Sequence, residues 1–207
     1  MNHCHTGKGA MVRRVGEIIG GVAMFPLMCV SQAFIGATVL RRIGVDAELA
    51  LGGLIARVGP GATDYVAYTN YDGTGFASAG TLFGHCYIRS GPDVIDYSLP
   101  YLLDDFLWLR DRDPAEFPQT FSAKFESYFG PASHVLSDRP RRIEPGSFIL
   151  TPFRGDDHPH DFITPERRRF IDDALDRIEP QVAALRDEVL TAARSGDRSF
   201  NLKGGVK

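Results

Sequence analysis

Cys29, His85 and Asp96 present a thiol, an imidazole and a carboxylate in that chain order. A free thiol is only a few per cent ionised at neutral pH, so a nucleophilic cysteine needs a helix N-terminus, a base within hydrogen-bond reach and a third group to orient that base. Cys29 stands where an uncharged run turns into a helical pattern, His85 falls on an expected strand, and Asp96 follows a turn. The chemistry expected of this set is attack on an amide, ester or thioester carbonyl to give an acyl-enzyme. The oxyanion formed on the way needs donors, for which the Cys29 backbone N–H and the side chain of Gln32 are candidates. Cys86 is a weaker nucleophile candidate, because strand alternation sends it to the face opposite His85.

The choice of carboxylate depends on a hairpin around Ser90-Gly91-Pro92-Asp93. If Arg89 lies opposite Val94, His85 lies opposite Ser98 and shares its face with Asp96. A three-residue loop would reverse the parity and select Asp93. Asp96 is preferred, since Asp93 already has a role in turn chemistry. A competing cluster, Asp156, Asp157, His158, His160 and Asp161, could hold a divalent ion and support a metal-dependent hydrolase. Its two histidines, however, match no common zinc spacing and a solvated loop explains them. His3, Cys4 and His5 could bind a metal adventitiously, and His134 reads as structural. The thiol mechanism requires no cofactor.

These groups need elements to hold them. A first helix is expected over about Val12 to Met24, stopping before Pro26. A second begins at Cys29, with Ala33, Gly36, Ala37, Leu40 and Ile43 forming a stripe of mostly small residues that another element could approach closely, and Gly44 as its C-terminal cap. From Val45 to Leu51 the period becomes two, and Gly52-Gly53 suggests a bulge or bend. Hairpins are expected for residues 64–78 around Asp72-Gly73 and for residues 82–99, with a further strand from Ser147 to Thr151. Phe117, Phe121, Phe125 and Phe129 recur every four residues, as on a core-packing helix face. Thr164-Pro165 opens a C-terminal helix that Pro180 should kink or restart, giving two amphipathic helices able to cover the sheet or form a homodimer.

The chain has 207 residues, 43% of them apolar, enough for one α+β domain with a substantial core. A net charge of -3, with arginines dispersed among acidic residues, excludes an obvious nucleic-acid footprint. Three cysteines do not describe a disulfide framework, so a reduced, cytoplasmic setting is expected. The uncharged run from Ile18 to Leu40 meets the length of a membrane span, but Gly20, Gly21, Pro26, Ser31, Gln32, Gly36 and Thr38 dilute and break it. A buried segment is expected instead, with no membrane partner.

The segments CVSQAFIGATVLRRIGVDAELALGG and GHCYIRSGPDVIDYS resemble the catalytic region of the transglutaminase-like branch of the papain-like cysteine-peptidase superfamily, over about Leu27 to Leu99. The resemblance implies a central N-terminal helix packed on an antiparallel sheet, with C-terminal helices added, in a bacterial family of that superfamily. It places Cys29, His85 and Asp96 as nucleophile, base and orienting group, acting on a small-molecule or peptide acyl substrate. Two features depart from the pattern: Ala23 stands where papain-like enzymes carry an oxyanion glutamine, and FPLMCVSQ lacks the Arg-Gly-Gly approach of arylamine acetyltransferases. A non-catalytic binding protein on the same fold is the alternative implied by the missing glutamine.

Overall fold

Uncharged residues at helical spacing need a partner on every side, and the N-terminal segments satisfy this by packing on one another. The computed structural model describes residues 6–22, 29–62, 64–68, 84–110, 121–138, 142–153 and 158–195. Helix α1 spans Thr6–Gly20 and α2 spans Cys29–Arg42. Met11, Val12, Val15 and Ile19 form the buried stripe of α1. Helix α2 is buried nearly all round, from Val30 to Leu40, between α1, α5 (Pro165–Ser195) and the sheet. This central position explains the uncharged run, since a helix apolar on all sides belongs in a core. Among the described residues no helix is long and apolar enough to cross a membrane.

The end of α2 follows from Gly44. Its φ of 87° lets the Gly44 N–H donate to the Arg41 carbonyl and the Val45 N–H to the Leu40 carbonyl, a Schellman closure. Gly36 permits the close approach that its stripe predicts: a Cβ there would lie 2.6 Å from the Tyr97 ring.

Among the described residues the sheet is antiparallel throughout its named ladders. Its strands are β1 (Glu48–Arg57), β2 (Tyr65–Tyr68), β3 (His85–Ser90), β4 (Asp93–Asp96), β5 (Tyr128–Pro131) and β6 (Phe148–Pro152). β1 pairs with β2, β3 and β6; β3 pairs with β4, and β4 with β5. Gly52 is opposite both His85 and Pro152, and Leu54 is opposite both Tyr68 and Leu150. A residue can pair with two strands only across its two edges. β6 therefore occupies one edge of β1, while β2 and β3 share the other, end to end.

Paired residues project to the same face, so alternation along β1 sorts the whole sheet. One face carries Leu49, Leu51, Cys86, Ile88 and Ile95 into the core formed with α1, α2 and α5. The other carries Leu54, Ala56, Val66, Tyr87, Val94 and Leu150 into a second core, completed by helices α3 (Leu102–Arg110) and α4 (Ala132–Val135). The architecture is thus α+β, with an antiparallel sheet and several helices.

Several expectations need correction. The first helix begins earlier than Val12 and ends at Gly20. β1 starts at Glu48 and continues as a strand through Gly52-Gly53, where a bulge or bend is expected, to Arg57. Gly52 is required by crowding: a Cβ would come within 2.3 Å of the Thr151 carbonyl oxygen. The four-residue phenylalanine spacing is not a helix in its described part. Residues 121–127 are irregular and lead into β5, with Phe121, Ala123 and Phe125 half-buried between exposed Ser122, Lys124 and Glu126, which is a period of two. Here the sheet end overrides the four-residue spacing, since the Ser122 and Ala123 N–H groups both donate to the Val58 carbonyl.

The C-terminal pair of helices is a single one, α5. Its start is capped as expected, with the Arg167 N–H donating to Thr164 Oγ1 at 3.2 Å. Pro180 does not restart it because it faces solvent, where water can satisfy the carbonyl it frees. The α5 stripe of Ile171, Ala174, Ile178, Val182, Leu185 and Val189 is buried with α1 and α2, so the apolar face that suggested a homodimer is used within the chain. The Asp72-Gly73 hairpin, apart from β2, lies outside the described residues.

Candidate active site

The β3–β4 hairpin places the imidazole and its carboxylate. Gly91, with φ of 62°, and Pro92 form its two-residue turn, giving the ladder Ser90↔Asp93, Arg89↔Val94 and Ile88↔Ile95. This is the register that favours Asp96. The His85 Nε2–H donates to Asp96 Oδ2 at 2.6 Å, with both side chains buried. Asp93 points to the other face, where Lys8 Nζ donates to its Oδ2 at 2.9 Å and to the Ser90 carbonyl at 3.1 Å. That pair ties α1 to the hairpin turn.

Ser98 is a supporting residue that sequence reasoning placed opposite His85 without assigning it a role. Its Oγ–H and its backbone N–H both donate to Asp96 Oδ1, at 2.7 and 2.9 Å. Asp96 is therefore held by three hydrogen bonds, and these decide its charge state. Burial acts to raise its pKa, but the His85 charge and hydrogen bond and the Ser98 donors hold it below the ordinary carboxylate value. For His85, burial acts to lower the pKa; the Asp96 charge and hydrogen bond, followed by Cys29, outweigh it and raise the value to about 10.

Cys29 closes the arrangement from the opposite layer. It is the first residue of α2 and half-buried, and it lies near enough to His85 to contribute to the raised imidazole pKa. Asp96 occupies Nε2, which leaves Nδ1 for the thiol. The first-turn N–H groups of a helix have no intrahelical acceptor, so the Cys29 N–H has no acceptor within α2 itself. Gln32, one turn along, is buried, and among the described residues its Oε1 has no hydrogen-bond partner. Cys86 packs into the α2 side of the core, where burial pushes its thiol pKa well up. The position of Ala23 lies outside the described residues.

The second polar group missed by the sequence reading is Tyr68, at the end of β2. Its hydroxyl is buried without a partner among the described residues, and burial, followed by the Asp105 charge on α3 and by Cys29, raises its pKa. A strand tyrosine looks like ordinary sheet composition, and nothing in the local pattern marks it.

The competing metal cluster does not assemble among the described residues, where no group of three or more His, Cys, Asp or Glu could hold an ion. Asp156 and Asp157 lie outside those residues, as do His3, Cys4 and His5. Asp161 instead caps the short 3-10 turn Pro159–Phe162, its Oδ2 accepting from the His158 N–H at 2.6 Å. His160 stacks on His158 and packs edge-on against Phe34.

No protein-family model matches this sequence, and no curated protein matches it. Among solved structures, the crystal structure of genomics APC5867 is similar at 15% identity, covering 86% of this chain and 78% of that chain with a TM-score of 0.43.

Proposed function

We propose that this protein is a cysteine-dependent hydrolase or acyltransferase acting on an amide, peptide or thioester, on a papain-like or transglutaminase-like fold. The observation that carries the reading is the buried His85–Asp96 pair meeting Cys29 at the first residue of α2. A proton held on His85 by Asp96 gives a cation beside the sulfur, and the start of α2 adds a positive potential. The thiolate attacks the acyl carbon, and the C–S bond forms as the carbonyl pair moves onto oxygen. Collapse of this intermediate breaks the bond to the leaving group, which takes the His85 proton. His85 then accepts a proton from water, or from another acceptor nucleophile, as the acyl-enzyme is resolved.

The test is alkylation by iodoacetamide as a function of pH, located by peptide mass spectrometry. Cys29 should be labelled selectively over Cys86, and His85→Ala should slow that labelling at neutral pH. An inert Cys29, or a labelling rate indifferent to His85→Ala, would reject the catalytic reading in favour of a binding protein.

A further inference from the structure

β2 and β3 lie end to end on one edge of β1, with Tyr68 opposite Leu54 and His85 opposite Gly52. Their side chains therefore leave the same face of the sheet two ladder positions apart, about 7 Å at roughly 3.4 Å per residue. The Tyr68 hydroxyl beside this base is buried and, among the described residues, has no hydrogen-bond partner. Leaving such a group unpaired is destabilising, and a native orphan of this kind calls for an explanation. Burial first, then the Asp105 charge and then Cys29, push the phenol pKa above its ordinary value. The oxygen therefore keeps its proton and is a hydrogen-bond donor close enough to the thiol to be affected by its charge.

Building on the acyl-transfer reading, we propose that Tyr68 is a catalytic residue whose hydroxyl supplies the second oxyanion donor, complementing the Cys29 backbone N–H. When the thiolate adds to the carbonyl carbon, the displaced π pair resides on oxygen, and that oxygen accepts from Tyr68 Oη–H and from the Cys29 N–H. The pair returns to the C=O bond when the leaving group departs with the His85 proton. Tyr68 transfers no proton and needs no base of its own. By sequence distance Ala23, not a glutamine, precedes Cys29 at the papain-type spacing.

Two reactions of the same thiol separate this role from others. Alkylation by iodoacetamide forms no oxyanion, whereas acylation by p-nitrophenyl acetate does. Wild type, Tyr68→Phe and His85→Ala are compared in both reactions, along with their urea unfolding midpoints. Tyr68→Phe should leave Cys29 alkylation unchanged and slow p-nitrophenolate release by about 10²-fold or more, with an unfolding midpoint no lower than wild type. Acylation at the wild-type rate would overturn the proposal. So would an equal loss in both reactions, or a lowered midpoint that accounts for the loss, because each assigns Tyr68 to supporting the fold or the thiol. If His85→Ala leaves both reactions unchanged, the parent reading itself fails, and the oxyanion proposal falls with it.

Discussion

On the side covered by α1, α2 and α5, the sheet offers Cys86, Ile88 and Ile95 to an apolar core, whereas on the other side it carries His85, Asp96 and Tyr68 among apolar neighbours. The first face is held by shape: Gly36 against the Tyr97 ring, and Leu40 and Ile35 fully buried. The second includes the hydrogen-bonded His85–Asp96 pair and, beside it, the Tyr68 hydroxyl. Cys29 belongs to the helical layer, yet it acts on the ionisation of His85, the first residue of β3, whose side chain leaves the other face. The rigid apolar side thus positions the sulfur, and the polar side sets the ionisation of the groups around it.

Removing charge should cost the polar side most. Asp96→Ala leaves a buried histidine without its anion, and a loss of about 3–5 kcal/mol in urea unfolding is expected. This loss should depend on pH. The depressed Asp96 pKa contributes stability above its unfolded value near 3.9, and that contribution fades as pH falls through the folded value. The raised His85 pKa contributes fully below about 6.5, and its share fades as pH climbs through about 10. The gap between wild type and Asp96→Ala should therefore be widest from about pH 4 to 6.5 and narrow on either side. Leu40→Ala is the apolar control, with an expected loss of about 2–5 kcal/mol whose size stays flat over the same range. Equal pH profiles for the two variants would deny any electrostatic distinction between the faces.

A smaller effect tests the fit of the helical layer. Gly36→Ala should cost about 1–3 kcal/mol, because its methyl would overlap the Tyr97 ring. Adding Tyr97→Leu should recover part of that loss, a non-additivity readable in a double-mutant cycle. Additive losses would mean that α2 and the hairpin are not in contact there. Least affected should be the exposed Arg14–Glu188 pair, which joins α1 to α5. Arg14→Ala is expected to change stability by less than about 1 kcal/mol, and added salt should erase the difference.

How far the sequence could be read follows from which forces were local. The start of α2 at Cys29, the Gly44 cap, the hairpin register and the choice of Asp96 over Asp93 all depend on short-range spacing, so they were legible. The continuity of β1 past Gly52-Gly53 was not, because a second strand approaching those glycines is a tertiary fact. Pro180 misled because a proline's cost depends on whether its freed carbonyl meets water, and the local motif does not show which side faces out. The phenylalanine spacing suggested a helix, but contacts with Val58 at the sheet end govern residues 121–125. Ser98 and Tyr68 were missed because a hydroxyl gains its role from what surrounds it in space.

The end-to-end placement of β2 and β3 has a consequence for engineering. Tyr68 at the end of β2 and His85 at the start of β3 are both paired to β1, so one continuous strand sets their spacing. A change in the backbone of β1 between Gly52 and Leu54 would therefore alter the distance between the two groups, whereas a change confined to β2 or to β3 would move one of them alone.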